Sequence, residues 1–84
     1  MNHITAAGNT VVPALLTLEA LGFRVEVTEG DNSVCRAARG DESYVADDPV
    51  TVLGLVKLVE LRSWDWAASD AEVNAALKRF PLGE

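Results

Sequence analysis

Few side chains in this chain of 84 residues could carry chemistry: His3, Cys35, the carboxylate pairs Asp41-Glu42 and Asp47-Asp48, and the two tryptophans Trp64 and Trp66 with Asp65 between them. A histidine acts as general base only when a neighbour orients it, and His3 has no such residue beside it. A reactive cysteine needs an electropositive site. Arg36 and Arg39 are near Cys35 in sequence, but successive strand residues point to opposite faces, so Arg36 turns away and Cys35 reads as a small buried hydrophobe. Zinc requires clustered Cys and His, and a calcium loop a central Gly with a terminal Glu; neither pattern occurs, nor does a glycine-rich phosphate loop. The expectation is a protein that is not an enzyme, with no catalytic, cofactor or metal residue.

What remains suits contact with another macromolecule. Trp64 and Trp66 lie two apart, so in an extended segment one indole turns inward and the other outward. The expectation is that Trp66 plugs the end of the core between the second and third helices. Trp64 would then cover the last turn of the second, leaving whichever indole faces out as an anchor for a partner. The residues singled out as partner-binding are Trp64, Asp65, Trp66, Asp47, Asp41 and Glu42.

Charge narrows the choice of partner. Thirteen acidic residues against seven basic ones give a formal charge of −6, which repels phosphate backbones and anionic membrane surfaces. A basic protein is the natural match, and fast, salt-sensitive association would follow. The 49% hydrophobic and 24% charged composition is that of a folded domain, and one of this length holds a single core. MNHITAAGNT lacks the charge and apolar run of a signal peptide, and the uncharged run Pro49–Val56 is shorter than the roughly 20 residues that span a bilayer. A cytoplasmic protein without a membrane segment is expected.

The elements that must position these residues are legible in outline. Residues 1–9 read as a tail or a short edge strand around Ile4. Thr10 can cap a helix over about 10–21, with Pro13 in its first turn and Val11, Leu15, Leu18 and Leu21 at helical spacing. Gly22 can end it in the left-handed conformation while Phe23 folds back on Leu18. Phe23–Thr28 alternates like a half-buried strand, Glu29–Asn32 reads as a turn, Val34–Arg39 as a second strand, Gly40–Glu42 as a turn and Tyr44–Ala46 as a third strand. Connections this short make the three strands antiparallel. Asp48-Pro49 opens a helix to about Arg62. It is apolar around most of its circumference, and the Gly54 inside it, at a cost of about 1 kcal/mol, suits close approach of another element or subunit. Ser69–Glu72 is a capping box for a third helix over about 70–79, with Val73, Ala76, Leu77 and Phe80 on one face and Pro81 beyond.

The fold class is therefore α+β, in the order αβββαα, as two layers with the helices on one face of an antiparallel meander. Its first five elements are similar in outline to the double-stranded RNA-binding domain. That domain presents lysines at the start of the helix after the sheet, where this chain has Asp47-Asp48-Pro49-Val50-Thr51, so the charge is reversed where phosphate would bind. The reading is a small acidic non-catalytic protein that binds another protein, as an inhibitor, immunity or antitoxin-type molecule or as a homodimer. Nucleic-acid binding through the sheet ranks second, and a small enzyme of unknown reaction third.

Overall fold

The computed structural model describes residues 1–28 and 33–81. The turn expected at Glu29–Asn32 lies outside the described residues. Three helices and a three-stranded antiparallel sheet follow one another in the order αβββαα: α1 (Val11–Ala20), β1 (Arg24–Thr28), β2 (Val34–Arg39), β3 (Glu42–Ala46), α2 (Pro49–Arg62) and α3 (Asp70–Arg79). None of these helices is long and apolar enough to cross a membrane.

Local chemistry places the element ends. A 3-10 turn, Gly8–Thr10, precedes α1, and this corrects the role expected of Thr10. Its hydroxyl donates to the Ala7 carbonyl at 2.6 Å rather than accepting from α1, and Pro13, at the third helical position that a cap commonly serves, has no N–H to offer. At the other end of α1, Gly22 adopts φ +94°. Its N–H donates to the Glu19 carbonyl and that of Phe23 to the Leu18 carbonyl, a Schellman ending that buries Phe23 beside Leu18. β2 and β3 are joined by two residues alone, with Gly40 at φ +58° in the position a II′ hairpin reserves for glycine. The third strand therefore starts at Glu42, earlier than the alternation suggests, with Glu42 opposite Arg39. Asp48 caps α2 by accepting the Thr51 N–H at 2.8 Å, and Ser69 and Glu72 close the capping box of α3.

The sheet order is β1-β2-β3, with Val25 opposite Ala37, Ala37 opposite Tyr44, and Val27 opposite Cys35. Alternation puts these residues on one face, where α1 and α2 bury Leu18, Phe23, Cys35, Ala37, Tyr44, Val52 and Val56 in one cluster. The opposite face, with Arg24, Glu26, Thr28, Arg36, Ser43 and Val45, is open.

α3 does not join this core. It buries no residue, and its apolar stripe stays 42% (Val73), 52% (Leu77) and 47% (Phe80) exposed. Three strands about 4.8 Å apart make a layer roughly 10–15 Å wide, and two helices 8–10 Å apart already cover it. A third helix has no inner sheet surface left. What holds α3 in place is its link to α2: the Arg62 guanidinium donates to the Trp66 carbonyl at 2.8 Å and to Glu72 Oε1 at 3.1 Å. The link begins with a strained residue, for Ser63 sits at φ +58°, ψ −168°, a region that side chains disfavour by about 1–3 kcal/mol. Ser63→Gly is expected to raise the unfolding free energy by about 1 kcal/mol, the relieved strain exceeding the added chain entropy of glycine. Urea denaturation measures it, and a loss of stability would show that Ser63 is not strained.

Candidate partner-binding site

The positive φ of Ser63 turns the chain so that Trp64 comes back over the sheet. Its indole stacks on Tyr44 with ring centroids 5.6 Å apart and planes 19° from parallel. Tyr44 in turn meets Phe23 edge-on at 5.7 Å and 79°, and the Arg39 guanidinium lies 4.2 Å over the Phe23 ring. Both ring geometries are favoured by the aromatic quadrupole, and the guanidinium adds a cation–π contact. A ladder thus runs Arg39, Phe23, Tyr44, Trp64, tying the end of α1, the sheet and the end of α2 together.

Polar contacts lock the same group. The Tyr44 hydroxyl donates to Glu42 Oε1 at 2.8 Å. Arg39 donates to both Glu42 oxygens, at 3.3 and 3.4 Å, and to the Leu21 carbonyl at 2.7 Å. The Tyr44 hydroxyl and the Arg39 guanidinium hold Glu42 below its ordinary carboxylate range. Burial, then the hydrogen bond and charge of Glu42, push Tyr44 up to about 12. Beside this ladder opens a cleft of about 300 Å³ walled by Tyr44, Trp64, Glu42, Glu60, Arg39 and Val59.

Neither tryptophan is core. Trp64 is 58% and Trp66 47% exposed, so the expected division into one buried and one exposed indole is replaced by two half-open ones. Trp66 does not plug the end of the core between α2 and α3, because α3 buries no residue and Trp66 stays 47% exposed. Trp64 stacks on Tyr44 of β3 and lines a cleft with Val59, Glu60 and Ser63 at the end of α2. Among the residues singled out, Glu42 and Trp64 are brought together by Tyr44. Asp41 is exposed in the adjoining hairpin turn, and Asp65 and Trp66 are exposed along the link to α3. Asp47 is exposed just past the far end of β3 from Glu42. Tyr44, Arg39 and Glu60 join the site without having been singled out as partner-binding residues. Strand alternation, which puts residues 42 and 44 on one face, is the signal for the first; nothing local points to Glu60.

The remaining chemistry-bearing groups stay apart. Cys35 is buried, and burial first and the Asp48 charge second push its thiol up, which disfavours thiolate. No three His, Cys, Asp or Glu side chains gather to hold a metal among the described residues. A wider groove of about 710 Å³ runs between residues 3–10 and the start of both helices; its lining includes Ile4, Pro13, Val50 and Leu53, with His3 as its one ionisable side chain. No family model, curated protein or solved structure matches this chain.

Because Tyr44 is the only tyrosine, its titration is directly visible. The rise of tyrosinate absorbance is expected at a midpoint of about 12 instead of 10.0. A folded-state pKa raised above the unfolded one means stability fully present below pH 10.0 and lost as pH rises through about 12. Glu42→Gln should move the midpoint back toward 10.0, and Tyr44→Phe should remove this alkaline loss. A wild-type midpoint at 10.0 would mean that the Tyr44–Glu42 bond does not form in solution.

Proposed function

We propose that this protein acts without catalysis by binding a basic protein, in the manner of an inhibitor, immunity or antitoxin-type molecule, and that a Lys or Arg side chain of that partner enters the cleft beside Trp64. The carrying observation is the cleft itself. Trp64 has one indole face on Tyr44 and its side chain still more than half exposed, and the wall carries two carboxylates, Glu42 and Glu60. The one cation in that wall, Arg39, is already committed to Glu42, the Leu21 carbonyl and the Phe23 ring. Glu42 is paired with Arg39 and Glu60 with Lys57 at 3.1 Å, so an incoming cation would share those carboxylates while packing on the open indole face, a contact that attracts cations through a residue type enriched in hot spots.

The distribution of charge supports the same kind of partner. From Pro49 to Pro81, Glu60, Asp65, Asp70 and Glu72 are balanced by Lys57, Arg62, Lys78 and Arg79. The whole excess of −6 therefore belongs to the rest of the chain, which contains the sheet, the hairpin turn with Asp41 and the Asp47-Asp48 pair. Asp41 and Glu42 lie at the cleft end of β3 and Asp47-Asp48 past its other end, so long-range attraction would favour a basic partner for this part of the chain in general, with the cleft supplying the specific contact. Nucleic-acid binding through the open sheet face has weaker support, because Arg24 and Arg36 are accompanied there by Glu26 and no aromatic residue offers a base a stacking surface.

Affinity capture from the native host at low salt, with wild-type and Trp64→Ala baits side by side, tests the proposal. A basic protein retained by the wild type, released by raised salt and at least tenfold depleted on the Trp64→Ala bait is expected. The same proteins on both baits, or none on either, would overturn it. Trp64→Ala removes only a half-exposed ring, so the bait remains folded at a cost of about 1 kcal/mol.

A further inference from the structure

A single copy of this chain is too open for its mass. A compact monomer of 9.0 kDa exposes about 4,900 Å², whereas this chain exposes 6641 Å². A compact chain of this length has a radius of gyration of about 12 Å, against 15.0 Å observed. The excess, roughly 1,700 Å², lies within the 1,000–2,500 Å² or so that each chain of an obligate homodimer covers. Among the described residues the open segments are 1–7, which are irregular and exposed, and the link and α3, where only Ala76 is even partly buried.

The apolar part of that surface occurs as two matched pieces. One is the stripe Val73, Leu77 and Phe80 on α3. The other is the outer face of α2, where Leu58 and the 74% exposed Leu61 follow Gly54 at helical spacing, one and two turns further on. A side chain at Gly54 would meet nothing within 4 Å, so nothing else in the described structure requires a glycine in mid-helix, at a cost of about 1 kcal/mol. A helix crossing from outside would require it. Each copy thus carries a helix in need of a surface and a surface shaped for a helix, the self-complementarity of a two-fold contact. Charge permits it: α2 through α3 is the neutral part of the chain, so the net −6 does not act at this contact.

We propose that the protein is a two-fold homodimer in which α3 of each copy lays Val73, Leu77 and Phe80 across Gly54, Leu58 and Leu61 on the other copy's α2. This surface is separate from the cleft at Trp64, and the dimer stands or falls independently of the basic partner. Sedimentation equilibrium of the full chain at micromolar concentration is expected to give twice the 9.0 kDa chain mass. Gly54→Leu, which has open space within one copy, and Leu77→Lys, on an exposed position, should each halve the mass while the far-ultraviolet circular dichroism is unchanged. Trp64→Ala should stay dimeric. A wild-type monomer would overturn the dimer, and a dimer that survives either Gly54→Leu or Leu77→Lys would overturn the contact assigned to it.

Discussion

A three-stranded sheet is only about as wide as two packed helices, and most of this structure is a consequence of that width. α1 and α2 fill the inner face and enclose Leu18, Phe23, Tyr44, Val52 and Val56. The third helix is amphipathic yet has no inner surface to cover. It is held away from the core by Arg62, which binds the Trp66 carbonyl and the Glu72 carboxylate, while the turn at Ser63 directs Trp64 back onto Tyr44. The same crowding that excludes α3 thus brings an indole to the edge of the sheet.

The molecule has two dissimilar surfaces as a result. At the sheet edge, Asp41 and Glu42 lie beside an aromatic ladder whose last rung, Trp64, is open. On the helix side, a neutral region displays leucines, valine and phenylalanine that a single copy leaves uncovered. Electrostatic attraction reaches about one Debye length, roughly 8–10 Å at physiological salt, and suits recognition of a charged partner, whereas apolar contact acts only on touching and suits permanent association. Separation of the two would allow one chain to self-associate through one surface and bind through the other without competition.

Features written in a few adjacent residues are legible in the sequence alone. The Gly22-Phe23 ending of α1, the Asp48-Pro49 start of α2 and the Ser69–Glu72 box of α3 each depend on backbone groups at most five residues apart, and all three are present. Strand alternation likewise marks the inner face of the sheet. The role of Thr10 is changed by an added 3-10 turn that has no distinct composition, and the start of β3 is shifted by a hairpin tighter than Gly40–Glu42 suggests.

Residue order alone determined the element sequence, the acidic balance and the candidates Glu42 and Trp64, because each rests on local hydrogen bonding, periodicity or simple counting. Only tertiary structure decided that Glu42 and Trp64 meet around Tyr44, that Trp66 stays open, and that the stripe of α3 finds no cover within its own chain. Those outcomes depend on how many helices one sheet face can hold. That is a matter of packed volume between elements distant in sequence, and no stretch of neighbouring residues encodes it.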